Sequence, residues 1–287
     1  MESKKELPIT IYEKNNNTSF FQLLFLGIRN IFESNFLAYQ LAKRDISAMY
    51  RQSILGLLWS LIIPLSTAFL WIFLKGSSTV ALADTGMNYT LYVFTGTMAW
   101  SIITESIMGP ITSTQTMRGT LSKINFPKEA LITTSAYRTL FNTAIKLIIL
   151  ILLLIYFQEP IGPYLLLFPF VLFMILFFGT TVGTLITPIG LLYGDITKLL
   201  NPVLQVVMYL SPVVFAMPES KEGVYNSLIH LNPLSPLVNN FRNTLLSQPL
   251  EQINYYLAIL GISIVLFCLS LVVFKITIPI ITERISS

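Results

Sequence analysis

Residues 44–65 read RDISAMYRQSILGLLWSLIIPL. The stretch opens as a charged helix and closes as an apolar run that enters a bilayer. No Gly-Pro turn separates Arg51 from the run that starts at Ile54. Just upstream and within it, Gln40, Lys43, Arg44, Ser47 and Arg51 recur at i, i+3, i+4, i+7 and i+11. Tyr39, Ala42, Ile46, Met49 and Tyr50 fall on the other side. That spacing predicts one amphipathic helix over 36–52, basic on one face. Such a helix either lies in the cytoplasmic membrane interface or docks a cytoplasmic partner, and periodicity leaves both open.

The rest of the chain is membrane-like. Of 287 residues, 54% are hydrophobic and 11% charged, with mean hydropathy +0.70. Soluble domains carry about 25% charged residues. The composition predicts an all-α integral membrane protein. A helix needs about 20 apolar residues to cross the hydrocarbon core, and six stretches qualify: 54–74, 88–108, 137–157, 163–190, 199–217 and 254–274. Gly179, Gly183, Pro188 and Gly190 predict a kink or break in the fourth, and Pro202 with Ser211-Pro212 a bend in the fifth. The opening MESKKELPITIYEKNNN has no apolar core of a signal peptide, so targeting is expected from the first span. The single cysteine, Cys268, excludes an intrachain disulfide.

Basic residues orient the spans. With a cytoplasmic N-terminus, thirteen Lys and Arg fall inside: Lys4, Lys5, Lys14, Arg29, Lys43, Arg44, Arg51, Arg118, Lys123, Lys128, Lys198, Lys275 and Arg284. Only Lys75, Lys221 and Arg242 fall outside. Both termini are therefore expected in the cytoplasm. The net charge of +4 reports this sidedness and not nucleic-acid binding.

Two loops stand out. In RGTLSKINFPKEALI, 118–132, Pro127 punctuates and Lys128-Glu129 open an expected short helix, either a plain connector or one presented to a partner. On the outer side, LSPLVNNFRNTLL places Leu234, Leu237, Val238, Phe241 and Leu245 on one helical face and Asn239, Asn240 and Asn243 on the other. That helix either lies on the bilayer or dips in to cap a pathway.

Chemistry for catalysis is missing from the sequence. There is no GxxxxGK[ST] phosphate loop and no HExxH, and His230 is the single histidine. No catalytic cluster and no metal-ligand set is read. Charges inside spans are few: Glu105, Arg138 and Lys146. A structural Glu105–Arg138 ion pair is expected, and Lys146 has no obvious partner. Deep aromatics such as Tyr209 fit either an interfacial belt or a surface on which a sugar stacks.

Four blocks carry a family resemblance. RDISAMYRQSILGLLWSLIIPL, INFPKEALI, YGDITKLLNPVLQVVMYLSPVVFAMPE and LNPLSPLVNNFRNTLL stand in an order similar to that of type-2 ABC exporters of polysaccharides, the O-antigen, capsule and teichoic-acid permeases. The resemblance implies a cytoplasmic tail (1–35), a six-span permease domain (36–275) and a cytoplasmic tail (276–287). Within the permease domain it implies an interface helix (36–52), a coupling loop (118–131) and outer re-entrant gate helices (218–250). It implies a homodimer joined by two copies of a separate ATPase, which supplies ATP and Mg, in the cytoplasmic membrane of a bacterium. The substrate implied is a glycan on an undecaprenyl-diphosphate carrier. Six helices are too few to surround a hydrated sugar chain, whereas two sets build a passage between them. ATPase coupling then falls to Lys43, Arg44, Arg51, Lys123, Phe126, Pro127, Lys128 and Glu129. Arg44 and Arg51 match either the diphosphate or acidic groups of the ATPase. Channel contacts fall to Trp59, Tyr92, Trp100 and Tyr209. Exporters of drugs or small lipids, an ion-coupled secondary transporter and a membrane-embedded glycan-modifying enzyme are the rival readings.

Overall fold

The computed structural model describes residues 19–51, 58–77, 87–121, 123–160, 162–218, 220 and 222–286. The join between basic helix and first span at 52–57, and the expected inside or outside residues Lys4, Lys5, Lys14 and Lys221, lie outside the described residues. Among the described residues every regular element is helical.

Two helices precede the bundle. α1 (Phe20–Glu33) starts in a capping box in which Ser19 and Gln22 satisfy each other's backbone N–H groups. It lies along the last helix, α11 (Ile253–Ser286), and Gly27 lets Leu271 approach. Residues 20–33 are thus a docked helix within the expected tail. α2 (Asn35–Arg51) packs Ala38 and Ala42 onto α6 (Ala130–Tyr156) and leaves Lys43, Arg44 and Arg51 exposed. α11 runs through Ser286, so residues 276–286 continue the last helix.

The centre is α4 (Tyr89–Thr116). It is buried along most of its length, against α3 (Trp59–Gly76), α6, α7 (Phe168–Leu192) and α10 (Leu234–Leu245). Asn88 caps it by accepting from Thr90 N at 2.9 Å. A short helix, α5 (Arg118–Leu121), follows it. Lys128 and Glu129 then lead into α6, whose 27 residues replace the expected short helix.

α7 is not broken, one of the two outcomes expected of its glycines and proline. It is continuous through Gly179, Gly183, Pro188 and Gly190, and a 3₁₀ turn, Pro163–Leu167, leads into it. A Cβ at Gly179 would run into the Ser106 side chain, and one at Gly183 into the Ile107 carbonyl oxygen. The glycines set a close approach to α4, as small-xxx-small pairs do between membrane helices.

Among the described residues, three helical segments are long and apolar enough to cross a membrane: Ala130–Tyr156, Pro163–Leu192 and Ile253–Glu283. Leu61–Gly76 is apolar but shorter. The fifth expected span, 199–217, is not one helix. α8 (Gly194–Tyr209) stops two residues before Ser211-Pro212, and irregular backbone follows to Pro218. Proline restricts the residue before it to extended conformations, which ends the helix there. α9 (Val224–Leu231) and α10 then turn back over this segment.

Gly183→Ala should destabilise the fold by roughly 1–3 kcal/mol, because overpacking pushes α7 off α4. Gly119→Ala, where an added Cβ meets nothing within 4 Å, should be neutral or stabilising by up to about 1 kcal/mol. Thermal unfolding of the detergent-solubilised variants measures both.

Candidate functional site

The irregular segment after α8 has backbone carbonyls with no helical partner. Side chains supply the donors. Tyr225 Oη donates to the Tyr209 carbonyl at 3.3 Å and Asn232 Nδ2 to the Leu210 carbonyl at 2.9 Å. Arg242 Nη2 donates to the Pro212 and Val213 carbonyls, both at 2.9 Å. Tyr89 Oη reaches Val214 O at 3.1 Å and Tyr92 Oη reaches Phe215 O at 2.8 Å. Burial raises the pKa of the Tyr225 phenol, which keeps it a donor.

Arg242 is the keystone. It is 1% exposed, although the sequence places it with the outer-loop cations. Nε donates to the Tyr92 carbonyl at 3.2 Å, Nη1 to Asn239 Oδ1 at 3.0 Å, and the guanidinium lies 3.5 Å over the Tyr92 ring. Gly96 leaves room for it beside the Val213 carbonyl. Tyr92 is therefore enclosed in the clamp, not set along an opening as expected of a channel residue.

A cleft with a mostly apolar wall, interrupted by Glu105 and Gln205, runs along another face of α4. α3 and α8 each lean on α4 and leave a cavity of about 200 Å³ between them. Trp59, Pro64, Thr67, Thr97, Trp100, Ser101, Thr104, Glu105 and Gln205 line it. A second cavity, about 110 Å³, continues between α4 and α6 past Glu105, Thr112, Ser135, Arg138, Thr139 and Asn142. Trp59 and Trp100 both line the first of these cavities. Tyr209 is half-exposed and packs near Trp71, with ring centroids 6.4 Å apart, away from this cavity.

The ion pairs differ from expectation. Glu105 pairs with Lys146, whose ammonium also donates to Ser101 Oγ at 2.8 Å. Arg138 turns instead to Asp45 of α2, at 3.9 Å. Lys146 lies two helical turns beyond Arg138, level with Glu105, and its side chain is fully buried. A buried ammonium requires a carboxylate more than a part-exposed guanidinium does. Asn142 Nδ2 approaches the other Glu105 oxygen at 3.3 Å.

At the basic end the predicted coupling residues divide in two. Lys43, Arg44, Arg51, Lys123 and Pro127 face outward. Arg44 also meets Asp45 at 2.8 Å and Met117 Sδ at 3.1 Å. Phe126 packs on Met117, Leu121 and Leu131. Lys128 closes its loop by donating to the Leu121 and Ile124 carbonyls at 3.1 Å, 4.4 Å from the Phe126 ring centroid. Burial lowers the Lys128 pKa, and neighbouring Glu129 partly restores it. Glu129 points inward. It accepts from Lys275 of α11 at 2.6 Å and from Asn30 of α1 at 3.2 Å, and it is buried.

With this geometry the comparisons can be placed. The family described as ABC-2 type transporter matches residues 37–246. The chain belongs to it. It is a permease subunit of the type-2 ABC exporter class and an integral membrane protein. Its relatives include the O-antigen export system permease protein RfbA of Myxococcus xanthus, 24% identical over 241 residues, covering 83% of this chain and 91% of that protein. A Klebsiella pneumoniae protein of the same name is 23% identical over 230 residues, covering 78% of this chain and 84% of its own.

The matched region of this ABC-2 chain spans α2 to α10 and holds the clamp and the cleft. Glu129, Lys146 and Arg242 are buried residues whose partners the sequence reading did not identify. Their one signal is charge within apolar or asparagine-rich helix, which marks burial but not partner.

Arg242→Lys should cost about 2–4 kcal/mol, since a point-charged ammonium does not span four acceptors. Arg29→Lys, in an exposed pair with Glu33, should change stability by less than about 0.5 kcal/mol. Thermal melts of the two variants test the contrast. A double-mutant cycle with Glu129→Gln and Lys275→Met should give a coupling of about 1–3 kcal/mol, and additive effects would show that the two ends do not communicate.

Proposed function

We propose that this permease exports a polysaccharide linked to an undecaprenyl-diphosphate carrier, O-antigen or else capsule or teichoic acid, across the cytoplasmic membrane of a bacterium. The observation that carries the reading is the cleft. In a single copy it would set Glu105 and Gln205 beside lipid, which is expensive. A second copy set against α3 and α8 covers the cleft and turns it into a passage, with Trp59 and Trp100 on its wall.

In this reading α3, α4, α6, α7, α8 and α11 are the six spans and both termini are cytoplasmic. Helices α9 and α10 are the outer re-entrant gate, seated on the clamp. Energy comes from two copies of a separate ATPase, because the sequence has no phosphate loop. They dock on α2 and the 118–131 loop through the outward-facing Lys43, Arg44, Arg51, Lys123 and Pro127. Glu129 acts inside the chain, passing movement of the loop to α1 and α11. The relatives named as O-antigen export permeases favour a polysaccharide over a drug or a small lipid.

Depletion of the permease in its native cell tests this directly. Finished, carrier-linked polymer should collect on the cytoplasmic face while surface polymer disappears. Normal surface glycan with no carrier-linked polymer inside would transfer the assignment to small-molecule export.

A further inference from the structure

We propose that Glu105, held by Lys146, is a hydroxyl-accepting sugar contact in the transport path, with Trp59 and Trp100 as its apolar walls. The inference rests on the polysaccharide reading and names the residues that touch the glycan.

Glu105 is the one carboxylate that borders both cavities. It is the residue that the two cavities, of about 200 and 110 Å³, have in common. Its position is built. The Lys146 ammonium holds one oxygen, with Ser101 Oγ at 3.5 Å from the same atom, and Asn142 approaches the other oxygen at 3.3 Å. Yet the Glu105 side chain stays 28% exposed, whereas that of Lys146 is fully buried. A tie between α4 and α6 alone has no use for an open carboxylate edge. An ionised carboxylate has about four acceptor sites, so lone pairs remain for hydroxyl donors entering the cleft.

The neighbours fit the same ligand. Trp59 and Trp100 offer flat apolar faces to the C–H side of a pyranose. Gln205 adds donors and an acceptor from α8. The pairing also suits transit. A lone carboxylate in this low-dielectric site would repel the carrier diphosphate, and a lone ammonium would trap it. The compensated pair does neither, while still accepting hydrogen bonds that are weak enough to release.

The test uses the intact transporter complex in lipid nanodiscs, in a Trp71→Phe background. Of this chain's three tryptophans, Trp59 and Trp100 then remain, and their share of the signal is the difference from a complex that also carries Trp59→Phe and Trp100→Phe. The probe is a set of oligosaccharides released by mild acid from the native cell's surface polysaccharide. They should quench tryptophan fluorescence saturably. Glu105→Gln with Lys146→Met, which removes both charges together, should weaken that binding tenfold or more with assembly intact, because charge-assisted hydrogen bonds are lost. If the double variant does not assemble, Glu105→Asp carries the test. It keeps the ion pair but withdraws the acceptor by one methylene, and its affinity should fall several-fold. Unchanged affinity in an assembled variant, or no saturable quenching of the Trp71→Phe complex, overturns the sugar contact. Polymer accumulation on depletion would still uphold the export reading, so the two failures are distinguishable.

Discussion

Backbone carbonyls cannot be left bare in a hydrocarbon core, and the stretch after α8 is where this chain meets that constraint. Residues 210–215 abandon the helix, which frees carbonyls from Tyr209 onward that an unbroken span would satisfy internally. Six donors reach them from α4, α9, α10 and the turn between the last two. The rest of this end is shaped to fit. Gly96 has no side chain because Val213 O and Arg242 fill its space. α10 is buried around its whole circumference, polar face included, because that face carries the donors. Asn240 extends the network by bonding both backbone groups of Glu251, which fixes the start of the path into α11.

α4 is the element through which the ends are related. Its first turns hold the clamp by Tyr89 and Tyr92, its middle holds Glu105, and its last turns pack under α2 and the loop before α6. Its glycine-lined contact with α7 is close and continuous, whereas α3 and α8 leave a cleft on its other side. A helix gripped on one face and open on the opposite one is a rigid wall.

Much of the architecture is legible in the sequence, because it follows from periodicity and from apolar length. The α2 amphipathicity, the apolar stretches and the break at Ser211-Pro212 are local properties of the chain. Side-chain partnership is not local. Tyr92 reads as an aromatic free to line an opening until Arg242, 150 residues away in sequence, is folded onto it. Glu105 and Arg138 read as a pair because both carry charge near the same end. Registration of α6 on α4 decides otherwise and brings Lys146 level with the carboxylate. The α7 glycines read as flexibility, since a glycine's close neighbour is invisible until the second helix is in place.

Three cations, Lys146 and Arg242 buried and Lys275 partly so, show how residue type follows geometry. Lys146 and Lys275 each meet one carboxylate, Glu105 and Glu129, and a compact ammonium answers a single strong acceptor. Arg242 meets no carboxylate directly. Its acceptors are three backbone carbonyls and an amide oxygen, spread around the plane of the guanidinium. No single acceptor there carries a full charge, so the site needs several directed donors on one rigid fork, plus the Tyr92 ring beneath it. The lysines pair a helix with a helix and can be replaced as charge-neutral couples. The arginine pairs a helix with bare backbone, and no compensating substitution exists for a peptide carbonyl. Of the three charges, Arg242 is therefore the one the fold cannot exchange.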